Sequence, residues 1–189
     1  MKTYYIGFVI IFSIATTSVL GQQSGIYLSA TDFEAGKLTY AINCKTEKHK
    51  IKLHEFLGKD YITVIHDKQP HDLKKKEIFG FKDCGGAIYR LGTDKHYQVM
   101  NPTEKILLYV IEIPGSKGQP KKDYYYFSAS ASGDIQELTL DNLKKAFPDN
   151  HKFHDALDAE FAAGSDLVLY DSFHKMYKVN RLYSNSLNK

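Results

Sequence analysis

Residues 104–113 read Glu-Lys-Ile-Leu-Leu-Tyr-Val-Ile-Glu-Ile, the longest strand-like segment in a chain of 189 residues. Shorter β-branched and aromatic segments, such as residues 61–66 and 123–128, recur around it between turn signals about every 8–12 residues. No helical pattern alternates with them, which excludes a parallel nucleotide-binding sheet. We predict an α+β fold in which residues 37–130 form about seven antiparallel strands of a β-sandwich or barrel-like sheet.

The apolar period changes in residues 138–184, which are predicted to be helical. Thr139 is placed to cap a first helix and Asn150 a second, and Pro148 separates them. The second helix is expected to reach residue 163. It carries an apolar stripe at a spacing of four residues, formed by Phe153, Leu157 and Phe161.

A third helix is predicted to follow Gly164, with Ser165 or Asp166 as its cap. Its apolar residues would be Phe173, Met176, Tyr177 and Tyr183. Helices of this length need a partner that covers their apolar stripes. We therefore expect two or three C-terminal helices packed on the sheet in a single domain, residues 22–189.

Residues 1–21 have the pattern of an export signal. Lys2 precedes an almost wholly apolar segment, residues 4–15, and small residues lead to Gly21. The apolar segment is shorter than the roughly 20 residues of a membrane-spanning helix, although a retained N-terminal anchor would begin in the same way. We predict a signal peptide cleaved near Gly21 and a periplasmic or secreted protein with no membrane span after cleavage.

The chain contains two cysteines, Cys44 and Cys84. In an oxidising compartment two cysteines usually pair, and no third cysteine competes here. The alternative is two separate free thiols. Neither residue lies in a C-x-x-C motif, so a catalytic pair is not indicated.

The formal net charge at pH 7 is +3, and loss of Lys2 with the signal peptide lowers it to +2. So small a charge indicates no polyanionic partner, and the basic runs at residues 74–76 and 121–122 lack the aromatic interleaving of nucleic-acid-binding surfaces. We therefore expect no nucleic acid partner. No phosphate-binding or nucleophile-elbow motif occurs, and no cofactor is predicted.

The start of the second predicted helix holds the sharpest candidates for chemistry. At about 100° per residue, His151, His154 and Asp155 lie on one side of the helix, and His174 would be a further ligand. Such a set suits a divalent metal such as zinc, or acid–base work. The alternative is ordinary surface chemistry, because aspartates suit a helix start and His–Asp contacts at i,i+4 are common. No catalytic residue is predicted.

Tyr124 and Tyr126 belong to the Tyr-rich segment of residues 123–128. Because side chains alternate between the faces of a strand, these two tyrosines share a face. They are candidates for a ligand-binding surface. Core packing and sheet propensity are an adequate explanation of the same residues and the one we favour.

Several segments resemble an uncharacterised family of exported proteins from Bacteroidota. The resemblance covers nearly all of the chain after the predicted signal peptide and is carried by residues 25–28, 32–38, 79–83, 146–155 and 173–180. It implies export and no particular chemistry.

Two functional hypotheses of different classes follow. The first is a non-enzymatic exported module that binds a small ligand, a protein or another envelope partner. The alternative is a metal-dependent hydrolase that uses His151, His154, Asp155 and His174. The sequence does not predict the oligomeric state.

Overall fold

A computed structural model describes residues 22–48, 50–115, 118, 120–161 and 166–188. The predicted signal peptide, residues 1–21, lies outside the described residues, as do Gly164 and Ser165. The described residues form four α-helices and thirteen strands, all paired in antiparallel sheets. This arrangement confirms the predicted α+β class with an antiparallel sheet.

Eight strands form one large sheet. They are β1 (Gln23–Tyr27), β2 (Thr39–Asn43), β6 (Gly80–Lys82), β7 (Ile88–Leu91), β8 (His96–Val99), β9 (Leu107–Ile113), β10 (Lys122–Ser128) and β11 (Gln136–Glu137). Their order in the sheet is β11-β10-β9-β8-β7-β6-β1-β2. The longest predicted strand becomes β9, the third of the eight strands from one edge, and β10 pairs with β9 along all seven of its residues.

A second sheet has three strands, β3 (Lys50–Lys52), β4 (Tyr61–His66) and β5 (Gln69–Lys74), with β4 in the middle. Residues 67–70, Asp-Lys-Gln-Pro, have the composition of a turn, but Gln69 and Pro70 belong to strand β5. The turn is confined to Asp67 and Lys68, which both have positive φ, and Pro70 pairs with Ile65 inside the strand. Proline is tolerated there because β5 is an edge strand, where one side of the backbone needs no ladder partner.

Two layers cover one face of the large sheet. A row of directly paired residues crosses this face, formed by Ile26, Phe81, Tyr89, Gln98 and Val110. Directly paired residues share a face, and so do alternate residues of a strand, which places Leu108 on the same side as Ile26. Ile26 packs with Ile62 and Val64 of the small sheet, whereas Leu108 packs with the C-terminal helices. The small sheet and the helices thus cover different ends of one face.

The helical layer consists of α2 (Leu140–Ala146), α3 (His151–Glu160) and α4 (Lys178–Leu187). Both predicted caps are confirmed: Thr139 Oγ1 accepts the Asn142 N–H and Asn150 Oδ1 accepts the Phe153 N–H. The stripe of Phe153, Leu157 and Phe161 is fully buried against the sheet. Within the described residues, no helix is long and apolar enough to cross a membrane.

The predicted start of the third helix is wrong. Residues 170–177 form a two-stranded hairpin, β12 (Tyr170–Asp171) and β13 (Met176–Tyr177), and α4 begins only at Lys178. Phe173 therefore lies in the hairpin turn and Tyr183 on the helix. The spacing of the aromatic residues resembled a helical period, whereas hydrogen bonds of the Asp171 side chain select a turn.

The other face of the large sheet carries α1 (Ala30–Glu34), which is capped by Ser29, whose Oγ accepts the Asp32 N–H. Phe33 of this helix stacks on Phe79, with ring centroids 4.3 Å apart. Beside them lies Arg90, whose guanidinium donates to Tyr109 Oη at 2.9 Å and to the Gly133 carbonyl at 2.7 Å. Arg90 thereby joins β7, β9 and the segment that follows β10.

Cys44 and Cys84 form a disulfide, with Cα atoms 5.7 Å apart. Cys44 directly follows β2, the edge strand, and Cys84 lies in the turn between β6 and β7. The sequence prediction of one bridge is confirmed. The bridge reaches past β1, which lies between β2 and β6 in the sheet.

Candidate functional site

A cleft of about 670 Å³ lies between the start of α3 and the end of α4. Its wall includes Asn150, the cap of α3, with His151 from α3 and Tyr183 and Ser186 from α4. The Asn150 amide donates to Ser186 Oγ at 2.8 Å while its oxygen caps α3. The side chain of Asn150 thus joins the start of α3 to the end of α4.

His154, a predicted metal ligand, is engaged by the backbone of α2. Its Nε2 lies 2.9 Å from the Phe147 carbonyl and 3.1 Å from the Lys144 carbonyl. Lys144 lies in the last turn of α2, where its carbonyl also accepts the Phe147 N–H, and the carbonyl of Phe147, the C-cap residue, also accepts the Asn150 N–H. The described contacts give His154 a structural role at this helix end.

The structure brings only two of the four predicted metal ligands together. The rings of His151 and His154 are 5.8 Å apart and perpendicular, whereas Asp155 is exposed and His174 contacts Asp171. Within the described ranges, no group of three or more His, Cys, Asp or Glu residues could hold a metal ion. The zinc site stays a prediction without a described ligand set.

The tyrosines predicted as a ligand surface have different environments. Tyr126 packs at the edge of the core, with its ring 5.1 Å from that of Tyr97. Tyr124 is more exposed, and Lys122 Nζ lies 4.7 Å from the centre of its ring. Core packing therefore accounts for Tyr126, and the surface candidate reduces to Tyr124.

The most unusual surface feature is the turn of the β12–β13 hairpin. Phe173 at this turn is 89% exposed, the highest value among the exposed large apolar side chains of the described residues. Tyr170 and Leu169, which enter the hairpin, are also exposed. Solvent-exposed aromatic side chains grouped in this way commonly mark an interaction surface.

The Asp171 carboxylate holds this turn in place. One oxygen accepts the N–H groups of Phe173 and His174, each at 3.0 Å, and the other lies 2.9 Å from His174 Nδ1. Hydrogen bonds from the His174 backbone and side chain lower the pKa of Asp171, against an opposing desolvation. Lys175 closes the turn with φ of 54°. The exposed Phe173 is thus presented by an ordered backbone.

An ion network ties the turn to the helices. Arg181 of α4 lies 3.2 Å from Asp171 Oδ2 and 3.5 Å from Glu160 Oε2 of α3. Lys178 also pairs with Glu160, and this hydrogen bond is the main reason that the pKa of Glu160 is lowered. The network connects the hairpin, α3 and α4 through side chains that are mostly shielded from solvent.

A partly buried polar network anchors the other end of the hairpin. The Tyr177 N–H donates to the Glu104 carboxylate at 3.3 Å, and the Asn101 amide donates to Glu104 Oε2 at 3.1 Å. Asn180 exchanges two hydrogen bonds with the backbone of Ile106, both at 2.8 Å. The hairpin is therefore fastened to the strand that begins at Leu107.

Glu104 gives this anchor a dependence on pH. Burial raises the pKa of the Glu104 carboxyl above its ordinary value of 4.5, and hydrogen bonds from Asn101 and Tyr177 oppose that shift. The folded state thus binds a proton more readily than the unfolded state. The contribution of Glu104 to stability is complete below the pKa that its carboxyl has in the unfolded chain, and it is lost as the pH rises through the higher pKa of the folded state.

We expect Glu104→Gln to be more stable relative to wild type at pH 7 than at pH 4, because glutamine still accepts the Tyr177 N–H without a buried charge. Urea unfolding across this pH range measures the difference. Glu34→Gln, which removes an exposed carboxylate, should keep the wild-type profile. A Glu104→Gln profile parallel to wild type would contradict the assignment.

Sequence reasoning missed this site because it placed Phe173 on the apolar face of a helix. The available signal was Asp171-Ser172, since both residue types form hydrogen bonds to the backbone one to three residues onward and favour turns. The link between Glu104 and Tyr177 has no local signal, because the two residues are 73 positions apart. Only the packed structure brings them together.

No family model matches the chain, and neither the curated proteins nor the solved structures searched contain a match.

Proposed function

We propose that this chain is an exported, non-enzymatic module that binds a protein partner through the β12–β13 hairpin. The observation that carries the proposal is the 89% exposure of Phe173 on a turn held by Asp171. A flexible loop would lose conformational freedom on binding, whereas an ordered turn has already lost it during folding. Phe173 is therefore suited to insert into an apolar pocket as an anchor.

The expected binding free energies favour a protein pocket over a lipid surface as the partner of Phe173. Burial of one phenylalanine contributes about 1.5–3 kcal/mol, and a nearby lysine adds about 1 kcal/mol at an anionic membrane. Lys175 lies beside Phe173, but Asp171 places a carboxylate in the same turn. Stable membrane attachment needs stronger or multiple signals. A protein pocket adds hydrogen bonds and complementary packing around the same anchor.

Export is supported by two independent features. Residues 1–21 have the pattern of a signal peptide, and Cys44 is bridged to Cys84. Disulfides form and persist mainly outside reducing compartments. A partner in the periplasm or outside the cell fits both features.

The hydrolase alternative has weaker support. It needs His154 and His174 as ligands, and both imidazoles make hydrogen bonds that stabilise local structure. We therefore favour the binding module.

The test compares Phe173→Ala with wild type and with Leu187→Ala, which shortens another exposed apolar side chain outside the hairpin. In each protein, a photoreactive phenylalanine analogue replaces Tyr170 on the hairpin. The labelled proteins are then crosslinked in an envelope fraction from the producing cells. We expect one crosslinked protein with wild type and Leu187→Ala and at least a tenfold weaker product with Phe173→Ala.

Vesicles of phosphatidylcholine and phosphatidylglycerol provide the competing measurement. Vesicle binding by wild type that Phe173→Ala abolishes would assign the hairpin to a lipid surface and overturn the protein proposal. Equal crosslinking by wild type and Phe173→Ala would overturn the role of the hairpin itself.

A further inference from the structure

Lys75 is a lysine buried to an unusual degree. It begins the short 3-10 turn Lys75–Glu77 between β5 and β6, and only 4% of its surface is exposed. Its ammonium has no hydrogen-bond or ion-pair partner among the described residues, although Nζ still reaches solvent. The stem is enclosed while the charged end stays open, so an anion in the adjoining space can contact the ammonium. Lys75 therefore has capacity for an anionic partner.

Two clefts meet at this lysine. One of about 290 Å³ is lined by Asp60, Lys75, Lys76, Leu91, Gly92 and Thr93. The other, of about 350 Å³, shares Lys75, Lys76 and Leu91 and extends to Arg90 and Phe79. The shared wall makes Lys75 accessible from two adjoining spaces large enough for a small molecule.

The charges around the clefts favour an anion. Lys75, Lys76 and Arg90 contribute three cations, whereas the carboxylates on the walls are Asp60 and Glu77. Glu77 already pairs with Lys74, with Nζ and Oε1 3.5 Å apart. No ion pair joins the Asp60 carboxylate to the Lys75 ammonium within the described part of the chain. Asp60 therefore does not neutralise Lys75 directly.

Arg90 makes no ion pair with a carboxylate among the described residues. Its guanidinium donates to the Tyr109 and Ser128 hydroxyls and to the Gly133 carbonyl, all of which are neutral. These bonds fix the position of the guanidinium without cancelling its charge. A fixed cation on the wall adds to the attraction that Lys75 exerts on a negative group.

We propose that the two clefts form a binding site for a small ligand that carries a carboxylate or phosphate group, with Lys75 as its principal contact. The negative group takes the place of the missing counter-charge at the Lys75 ammonium, and Lys76 adds a second cation. Leu91, shared by both walls, contacts the apolar part of the ligand. This site is separate from the Phe173 hairpin and does not depend on the proposed protein partner.

The experiment titrates the protein with inorganic phosphate and, in a separate arm, with succinate. The ε-methylene resonance of Lys75 is followed by NMR, and the melting temperature is measured at each concentration. The variants are Lys75→Met, which keeps an apolar stem and removes the charge, and Lys52→Met, which removes an exposed lysine of β3. Lys75→Met should fold, because methionine retains the enclosed apolar part of the lysine side chain.

We expect a saturable shift of the Lys75 resonance with at least one probe. The same probe should raise the melting temperature of wild type and Lys52→Met more than that of Lys75→Met. The rise that remains in Lys75→Met measures the general effect of the salt on stability. A response to phosphate alone assigns a phosphorylated ligand, and a response to succinate alone assigns a carboxylate.

Two results would overturn the proposal. One is the absence of a saturable shift of the Lys75 resonance with either probe, which is measured in wild type and does not depend on the folding of a variant. The other is an equal rise in melting temperature for wild type and Lys75→Met. Neither result bears on the Phe173 hairpin.

Discussion

Replacement of both Cys44 and Cys84 by serine is expected to lower the free energy of unfolding by about 4 kcal/mol. The bridge joins residues 40 positions apart, and closing a loop of that length in the unfolded chain removes conformational entropy of about this magnitude. Within the fold, the bridge holds the end of the edge strand β2 to the β6–β7 turn. Its loss should therefore also loosen an edge that pairs only with β1.

Chemical denaturation of the wild type with and without a thiol reductant, beside the double serine variant, measures this effect. Reduced wild type and the variant should unfold at similar urea concentrations, and oxidised wild type at a clearly higher one. The double variant is the control, since a reductant should leave its midpoint unchanged. Coincident curves for oxidised wild type and the variant would show that the bridge adds no stability.

Phe153→Ala is expected to lower the free energy of unfolding by about 3–5 kcal/mol. Phe153 is fully buried in the core between the helices and the large sheet. Its ring makes edge contacts with Phe147 and Tyr183, at centroid distances of 5.5 and 5.4 Å. Truncation removes apolar burial, leaves a cavity and ends both aromatic contacts, so it weakens the attachment of α3 to its neighbours.

Phe173→Ala is the matched control, because it is the same chemical change at an exposed position. Its effect should stay within about 0.5 kcal/mol. Urea unfolding of the two variants measures the contrast. If both variants lost the same stability, Phe173 would be a core residue as the helical pattern predicted, and the hairpin would be the wrong structure. A stable Phe173→Ala protein also makes the crosslinking comparison interpretable.

Local signals in the sequence predicted the starts of α2 and α3. Thr139 and Asn150 each accept the N–H that their predicted capping role requires. The turn at residues 83–86 is equally local, since the Asp83 N–H donates to the Ala87 carbonyl. These features were predictable because donor and acceptor lie within a few residues of each other, so residue type alone specifies the contact.

The missed elements depend on distant partners. Strands β11, β12 and β13 have two residues each, too few for an apolar period. Strand β5 carries Pro70, which argues for a turn unless the position of the strand at a sheet edge is known. The hydrogen bonds of Asn180 to Ile106 span 74 positions. A pattern read in short windows does not contain such pairs.

The candidate site shows the same division. His151 and His154 share a helix, so their proximity followed from the sequence, and His174 was included on the assumption of a second adjoining helix. In the hairpin that replaces this helix, His174 contacts Asp171 and Phe173 is exposed to solvent. Lys75 was read as part of an exposed basic run at residues 74–76, because burial is a property of the packed chain.

The sequence by itself determined the α+β class, the caps of α2 and α3, the Cys44–Cys84 pair and the long strand within residues 104–113. Each follows from residue type, local spacing or the count of cysteines. Only the tertiary structure decided which charged and aromatic side chains are shielded and which are exposed. The reason is physical: burial and counter-charge depend on neighbours from other elements, so Lys75 became buried without a partner and Phe173 became exposed on an ordered turn.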